Sequence, residues 1–195
     1  MDDTLNLRPP AVLAAIERDT AAIGFNLGAQ PRTGALLRTL VCTKPGGAFL
    51  ELGTGTGIST AWILDAMDAG ATLLTVDSEA KYLEIARRHL GRDPRVTFHI
   101  GDGATFLAQL RGREFDLIFA DTWPGKFDHL EDALSLLRPG GLYLIDDLLP
   151  QANWPENHAP KVPRLIAELE RNPQLVACKL SWSSGIIIAA RRAQV

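Results

Sequence analysis

Five short apolar runs, each ending in an acidic residue, constrain the fold of this chain more than any other feature. The intervals between successive run ends are 26, 25, 19 and 25 residues, and the acids are Glu51, Asp77, Asp102, Asp121 and the pair Asp146 and Asp147. Each interval accommodates a strand, a helix and two short loops. The runs are continuously apolar rather than alternating, which is typical of strands covered on both faces. We therefore predict an α/β fold with a doubly wound, mostly parallel sheet and helices on both faces.

Two further apolar runs complete the set of predicted strands. The segments LVACKL, residues 175–180, and GIIIAAR, residues 185–191, are separated by only four residues. Four residues permit a hairpin but are too few for a parallel crossover, so we expect seven strands with a final antiparallel pair. The first 45 residues contain two helical patterns, PAVLAAIERDTAA and RTGALLRTLVC. The prediction is one domain, residues 1–195, in which an N-terminal helical cap (1–45) precedes a Rossmann-like core (46–191).

Composition argues against several classes of function. The 20 basic and 23 acidic residues give a net charge of -3, which does not favour binding to a nucleic-acid backbone. The two cysteines, Cys42 and Cys178, stand in no metal-binding or redox spacing. No apolar run reaches the roughly 18 residues that span a bilayer, and the N-terminal segment lacks the basic and apolar parts of a signal peptide. We therefore expect a cytoplasmic protein that acts on a small molecule rather than on nucleic acid or a membrane.

Three glycines lie at the first strand-to-helix turn, in the segment ELGTGTGIST, residues 51–60. At such a turn, backbone N–H groups and a helix N-terminus face a ligand, and glycines let the ligand approach. The third glycine is Gly57, whereas the dinucleotide pattern G-x-G-x-x-G would place it at position 58. The acids at this edge would repel a pyrophosphate but would stabilise S-adenosylmethionine (SAM), which carries an ammonium and a sulfonium. SAM is therefore the predicted cofactor, and a nicotinamide-dependent oxidoreductase is the less favoured alternative.

The order of these motifs resembles that of class I SAM-dependent methyltransferases. The segments ELGTGTGIST, VDS (76–78), GDGATFL (101–107), FDLIFAD (115–121) and LLRPGGLYLIDD (136–147) are similar to the successive motifs of that family, over about residues 46–191. The segment GFNLGAQPRTGALLRTL (24–40) is similar to the N-terminal stretch of the small O-methyltransferases of the catechol and caffeoyl-CoA type. The resemblance implies methyl transfer from SAM to an oxygen of a small-molecule acceptor, a phenol or a catechol. A SAM-binding regulatory protein without catalytic activity is the alternative.

The resemblance also implies which residues hold SAM. Glu51 and the glycine turn would hold the methionyl end, and residues 26–28 would close over it. Asp77 would bind the ribose, and Asp102 with its neighbours would bind the adenine. The full predicted set is Asn26, Leu27, Gly28, Glu51, Gly53, Thr54, Gly55, Ser59, Asp77, Ser78, Gly101, Asp102, Gly103, Ala104 and Asp121.

In the catechol-type relatives, carboxylates after the fourth and fifth strands hold a divalent cation, usually magnesium. The matching residues here are Asp121, Asp146 and Asp147, so the resemblance implies a Mg²⁺ site that would chelate two adjacent hydroxyls of the acceptor. The relatives usually carry a lysine three residues after the first aspartate, positioned to take the acceptor's proton. Here Lys126 stands five residues after Asp121, beyond a Pro-Gly turn. The predicted catalytic residues are Lys126 and Asp121.

The residues do not decide which group accepts the proton or what covers the acceptor. Lys126 would need a lowered pKa to act as a general base, and His129 and His158 are the alternatives. Trp123 and Trp154 are candidates for a flat wall against an aromatic acceptor. The acceptor would be covered by the N-terminal helices, by the proline-rich loop 149–163 or by the second subunit of a homodimer.

Overall fold

A computed structural model describes residues 2–193 of the chain. The strands of these residues are β1 (Ala48–Leu52), β2 (Thr72–Asp77), β3 (Val96–Ile100), β4 (Phe115–Ala120), β5 (Leu137–Ile145), β6 (Leu175–Leu180) and β7 (Ile186–Arg191). They form one sheet with the order β3-β2-β1-β4-β5-β7-β6. Strands β1 to β5 pair in parallel, whereas β7 is antiparallel to both β5 and β6. The predicted doubly wound sheet and its final antiparallel hairpin are therefore confirmed.

Helices connect the strands and form the N-terminal cap. They are α1 (Leu13–Ala22), α2 (Pro31–Cys42), α3 (Ile58–Ala66), α4 (Ala80–Leu90), α5 (Gly103–Gln109), α6 (Leu130–Ser135), α7 (Val162–Arg171) and the short 3-10 helix Ala159–Lys161. Helices α1 and α2 correspond to the two helical patterns of the first 45 residues. Pro31 begins α2, where its missing N–H costs no hydrogen bond. Within residues 2–193, no helix is both long and apolar enough to cross a membrane.

Helices cover both faces of the sheet, and alternate residues of a strand enter different cores. In β1, Phe49 belongs to the buried cluster that includes Trp62 of α3, whereas Leu50 belongs to the cluster that includes Leu165 of α7. These four side chains are at most 2% exposed. Burial on both faces explains why the strand segments are continuously apolar in the sequence.

The parallel strands bring the predicted acidic residues to one edge of the sheet. Beyond the strand ends, backbone hydrogen bonds continue the pairing: the N–H of Asp121 donates to the Leu52 carbonyl at 2.9 Å, and the N–H of Asp146 donates to the Ala120 carbonyl at 3.3 Å. Strand β1 lies between β2 and β4, so the strand order reverses beside it. Ligands of doubly wound sheets bind at this reversal, outside the carboxyl ends of the strands. The fold therefore places the candidate site next to the end of β1.

Helix α2 packs closely on α3, and this contact gives a test of the cap. A Cβ atom built on Gly34 would lie 2.4 Å from Cδ1 of the buried Trp62. Alanine favours a helix over glycine by about 1 kcal/mol, but overpacking a buried contact costs about 1–3 kcal/mol. We therefore expect Gly34→Ala to lower the free energy of unfolding, measured by urea denaturation. Thr39→Ala, at an exposed position of the same helix, should change it by less than about 0.5 kcal/mol. A stabilised Gly34→Ala variant would contradict the described packing.

Candidate active site

Two adjoining cavities open at the carboxyl edge of the sheet. The first, here called the glycine-turn cavity, has a volume of about 210 Å³ and lies against the turn of residues 53–56. The second, the Lys126 cavity, has a volume of about 310 Å³ and is lined by Lys126, Asp146 and His158 among others. Residues 27–29 and 121–122 line both cavities and form a shared wall. Ligands in the two cavities would therefore be neighbours.

The glycine turn is shaped by its backbone conformation and by Asp77. Gly53 has a φ of 101°, and a Cβ atom there would lie 3.0 Å from the carbonyl oxygen of Asp121. Both features exclude a side chain at this position. The carboxylate of Asp77 accepts from the N–H of Gly55 at 2.7 Å and from the N–H of Glu79 at 2.8 Å. Asp77 lines the cavity, and each of its oxygens retains a lone pair, so it can also accept from the hydroxyls of a ribose.

Glu51, in β1, is fully buried next to the glycine turn. Its Oε2 accepts from the hydroxyls of Thr60 and Thr75, both at 2.6 Å, whereas Oε1 has no hydrogen-bond partner. Burial raises the pKa of Glu51 from 4.5 to about 7, although the hydroxyls of Thr60, Thr75 and Ser59 act in the opposite direction. A buried polar atom without a partner is uncommon in native proteins and fits a donor that a ligand supplies. Glu51 itself lines neither cavity, so its role toward the ammonium of SAM stays a prediction from the family resemblance.

Most of the predicted cofactor residues line one of the two cavities, but Glu51 and the residues after β3 do not. Those in the glycine-turn cavity are Leu27, Gly28, Gly53, Thr54, Gly55, Ser59, Asp77, Ser78 and Asp121, and Asn26 lines the Lys126 cavity. Gly101, Asp102, Gly103 and Ala104 line neither cavity. The carboxylate of Asp102 instead caps α5 by accepting from the N–H of Thr105 at 2.7 Å. The adenine role of these residues stays a prediction from the family resemblance.

Two aromatic residues outside the predicted set complete the glycine-turn cavity. Phe25 follows α1, Tyr82 lies in α4, and their ring centroids are 4.4 Å apart. Both residues line the cavity. They come from parts of the chain that are far apart in sequence, and although Phe25 lies in the segment 24–40 that resembles the family, the resemblance assigned it no role. Only the position of Tyr82, in the first turn of the helix after Asp77, could have indicated a role.

The Pro-Gly turn after β4 directs Lys126 into the second cavity. The carbonyl oxygen of Trp123 accepts hydrogen bonds from the N–H groups of residues 126–128, which folds the loop back on itself. Gly125 has a φ of 87°, and a Cβ atom there would lie 2.3 Å from Cδ1 of Leu52. Lys126 is only 2% exposed and lines the cavity. The lysine therefore reaches the candidate acceptor site despite its displacement in the sequence.

Burial raises the pKa of both Asp121 and Asp146, and the charge of Lys126 opposes this change. For Asp121, burial is the largest cause, followed by repulsion from Asp146. For Asp146, burial is again the largest cause, and a hydrogen bond donated by the Ser184 hydroxyl favours the ionised form. The Lys126 ammonium favours the ionised form of both aspartates. Ser184 lies in the hairpin between β6 and β7 and carried no signal in the sequence.

The arrangement of the three aspartates does not support the Mg²⁺ site that the family resemblance implies, and that site stays a prediction from the resemblance. Within residues 2–193, no group of three or more His, Cys, Asp or Glu side chains is placed to hold a metal ion. Oδ1 of Asp146 already accepts from the Ser184 hydroxyl and, at 2.7 Å, from the N–H of Asp147. The backbone of Asp147 is left-handed, with a φ of 66°, and its Oδ2 lies 3.8 Å from Nε2 of His158. One oxygen of Asp146 is thus engaged with protein groups, whereas the Asp121 carboxylate accepts no hydrogen bond among the described residues, and all three aspartates line the Lys126 cavity.

His158 is held between two aromatic rings in the wall of the Lys126 cavity. The Trp154 ring stacks on it at a centroid distance of 4.4 Å, and the Phe127 ring meets it edge-on at 4.8 Å. Nε2 of His158 lies 3.0 Å from the carbonyl oxygen of Asp147, which can only accept, so Nε2 carries a proton. The neutral ring therefore has its lone pair on Nδ1. Burial, together with the charge of Lys126, lowers the pKa of His158 and favours this neutral form.

Three further candidates from the sequence are His129, Trp123 and Trp154, and of these only Trp123 lines the Lys126 cavity. His129 lies 3.0 Å from the carboxylate of Asp132 at the surface and does not line the cavity. Trp123 is part of the cavity wall. Trp154 stacks on His158 without lining the cavity itself. Of the two predicted aromatic walls, only Trp123 is therefore placed to contact an acceptor.

The proline-rich loop 149–163 contributes to the wall of the Lys126 cavity. Gln151 and Asn153 of this loop line the cavity. The side-chain amide of Asn153 donates to the carbonyl oxygen of Asn26 at 2.7 Å, which joins the loop to the segment after α1. Two distant segments of the same chain are thus connected beside the cavity.

Comparison with known proteins agrees with this arrangement. Residues 50–148 match the family model of a methyltransferase domain. The "Putative O-methyltransferase" of Mycobacterium avium (strain 104) is 35% identical over an alignment of 194 positions. The alignment covers 93% of this chain and 86% of that protein. The chain belongs to the family of SAM-dependent O-methyltransferases.

Solved structures similar to this O-methyltransferase share its fold. A "putative O-methyltransferase" from Klebsiella pneumoniae has a TM-score of 0.82 at 27% identity, covering 94% of this chain and 90% of that chain. The O-methyltransferase from Bacillus cereus, solved in complex with SAH, has a TM-score of 0.85 at 24% identity, with 97% and 94% covered. Membership of this family confirms the predicted enzyme class over the nicotinamide-dependent oxidoreductase and the regulatory protein without catalytic activity.

The raised pKa of Glu51 predicts how the stability of the ligand-free O-methyltransferase depends on pH. A carboxyl with a pKa of about 7 when folded and about 4.3 when unfolded holds its proton more strongly in the folded state. Below about pH 4 the group is neutral in both states, and stability is lost progressively as the pH rises from 4 to 7. Glu51→Gln cannot ionise, so we expect its free energy of unfolding to exceed that of wild type by about 3–4 kcal/mol at pH 8 and by less at pH 5.

Urea denaturation of the ligand-free protein at the two pH values measures this difference. Asp102→Asn is the matched control, because hydrogen bonds with Thr105 lower the pKa of Asp102 and its contribution has the opposite sign. An identical pH profile for Glu51→Gln and wild type would show that Glu51 does not carry a buried charge at pH 8.

Proposed function

We propose that this enzyme transfers the methyl group of SAM to a hydroxyl oxygen of a small phenol or catechol. The observation that carries the proposal is the shared wall, which separates the glycine-turn cavity from a cavity with a buried lysine and histidine. The volume of about 310 Å³ is at the lower end of the range for small-molecule sites, which favours an acceptor with one aromatic ring. Trp123 would supply an apolar face for that ring. Loop 149–163 lies beside this cavity, so the proposal does not require the second subunit of a homodimer.

The proposed position of SAM follows from the polar groups of the glycine-turn cavity. Asp77 would accept from the ribose hydroxyls, and Oε1 of Glu51 would accept from the ammonium of the methionyl end. Phe25 and Tyr82 would pack against the nucleoside, with the adenine toward residues 101–104 as the family resemblance implies. The buried negative charge at this edge would stabilise the ammonium and the sulfonium.

SAM would supply an electrophilic methyl group, because its positively charged sulfur leaves as a neutral thioether. The acceptor oxygen attacks the methyl carbon, the carbon–sulfur bond breaks, and the hydroxyl proton passes to Nδ1 of His158. The ammonium of Lys126 stabilises the negative charge that develops on the oxygen, and Asp121 in the shared wall balances this ammonium. Of the candidates for the general base, His158 therefore takes the proton, and Lys126 acts as a cation. The walls hold the reacting atoms in line and exclude water.

Incubation with methyl-labelled SAM and a panel of phenols, catechols and carboxylic acids tests the proposed acceptor. Label should appear in an extractable ether of a phenol or a catechol, and the carboxylic acids should stay unlabelled. Transfer to a carboxylic acid alone, or to no member of the panel while SAM binding is intact, would contradict the proposed acceptor class.

The proposed role of Asp77 in binding the ribose predicts a specific loss of SAM affinity. Asp77→Ala should weaken SAM binding by about 1.5–3 kcal/mol, because hydrogen bonds to a charged acceptor are lost. Isothermal titration calorimetry measures the change. Asp102→Ala is the matched variant, since Asp102 is also an acid at a strand end but caps α5 and lines neither cavity. Its loss should be smaller, and an equal or larger loss than that of Asp77→Ala would place the main cofactor carboxylate at Asp102 instead.

The proposed role of His158 as general base predicts how kcat depends on pH. His158→Gln should lower kcat by about 10²–10⁴-fold at pH 7.5 and leave SAM affinity unchanged. In wild type, kcat should fall at acidic pH, below the ordinary histidine pKa of about 6.5, because the base must be neutral and its pKa is lowered. The variant should lack this acidic limb. His129→Gln, at the exposed histidine, should behave as wild type, and a full acidic limb in His158→Gln would assign the proton to another group.

A further inference from the structure

We propose that the ammonium group of Lys126 takes the place of the divalent cation that is typical of catechol-type relatives. The inference rests on the proposed function, since it concerns activation of the same acceptor hydroxyl. Methyl transfer would then need no bound metal, and the acceptor would need one hydroxyl rather than two adjacent ones. Three observations support this. One oxygen of Asp146 already accepts hydrogen bonds from protein donors, the folded loop holds Lys126 in place, and the ammonium of Lys126 lies in the same cavity as the aspartates.

The aspartates that line the cavity with Lys126 are engaged only in part with protein donors, and Asp121 accepts no hydrogen bond among the described residues. Asp146 is 2% exposed and accepts from the Ser184 hydroxyl and the N–H of Asp147 through the same oxygen. Asp147 is turned by its left-handed backbone, and its carboxylate lies near His158. Magnesium prefers an octahedron of oxygens that converge on one point. The donor set of this cavity does not offer that arrangement among the described residues.

The position of Lys126 is fixed by the backbone on its N-terminal side. The hydroxyl of the buried Tyr143 donates to the carbonyl oxygen of Gly125. Gly125 itself contacts the core so closely that no side chain fits there. The N–H of Lys126 donates to the carbonyl oxygen of Trp123 at 3.0 Å. The buried lysine is therefore part of the folded loop and not a surface side chain that happens to reach inward.

The charge balance of the cavity already includes a cation. Lys126 and all three aspartates line one cavity, so its ammonium is placed to compensate their negative charge. A divalent cation at this place would do the same. The two cations would also repel each other if both were present in this cavity. Lys126 therefore already supplies a positive charge at the place where a bound metal would otherwise supply it.

Electron paramagnetic resonance of Mn²⁺ with the full chain tests the inference directly. Wild type should leave the signal of free Mn²⁺ unchanged up to about 1 mM, the upper end of ordinary oxygen-ligand sites. Lys126→Met keeps the apolar stem but removes the charge, so it should bind Mn²⁺ at least about tenfold more tightly than wild type. Lys161→Met is the control, because Lys161 is partly exposed and lies near Asp128 and Trp123. Lys126→Arg keeps the charge and should match wild type.

Stoichiometric binding of Mn²⁺ by wild type would overturn the inference, and so would equal binding by wild type and a folded Lys126→Met variant. If Lys126→Met does not fold, the wild-type titration and an activity measurement decide. With a phenol that has one hydroxyl, kcat should be the same in EDTA and in magnesium, and loss of activity in EDTA would overturn the inference. Failure of every acceptor in the panel would count against the proposed function, whereas the Mn²⁺ titration tests the role of Lys126 without any acceptor.

Discussion

Burial of carboxylates at the carboxyl edge of the sheet is the constraint on which the rest of this structure depends. Glu51 and Asp146 are at most 2% exposed, and an ionised carboxylate loses roughly several kcal/mol of hydration when it is buried. Donors on neighbouring elements offset this cost: Thr60 and Thr75 for Glu51, and Ser184 for Asp146. These donors lie in α3, in β2 and in the final hairpin. The sheet and its flanking elements therefore have to be assembled before the acids can be buried.

These donors do not supply a hydrogen bond to every carboxylate oxygen, and the unpaired oxygen lies next to the proposed cofactor site. Oε1 of Glu51 has no partner, and burial raises the pKa of Glu51, Asp121 and Asp146. Strongly perturbed carboxyl groups are concentrated at functional sites, where a ligand supplies the missing charge. The same burial that lowers the stability of the ligand-free protein makes the binding of a cationic ligand more favourable. Stability is exchanged for function at this edge, as is common in enzymes.

The sheet could be predicted from the sequence because its signals have local causes. Burial on both faces makes a strand continuously apolar, and four residues between two runs exclude a parallel crossover. The site could be predicted only in part, since an acid that caps a helix and an acid that binds a ligand occupy the same place in the sequence. Asp77 and Asp102 illustrate this, because only Asp77 lines a cavity. The contact between Phe25 and Tyr82 and the bond from Ser184 to Asp146 depend on tertiary packing, which no motif encodes.

If Lys126 takes the place of the cation as proposed, a short change in the loop after β4 alters the chemistry of a common fold. A divalent cation fixes an acceptor by coordinating two of its oxygens, whereas an ammonium offers one charge and three donors on a flexible stem. Ordering such a stem costs about 1.5–2 kcal/mol of side-chain entropy, and in this chain the packing of the loop around Gly125 meets that cost during folding. With Lys126 as the cation, the choice of acceptor depends on the cavity walls, Trp123 and His158, and no longer on chelation. Acceptor specificity is then a property of the loops, which can vary while the sheet and the cofactor site stay the same.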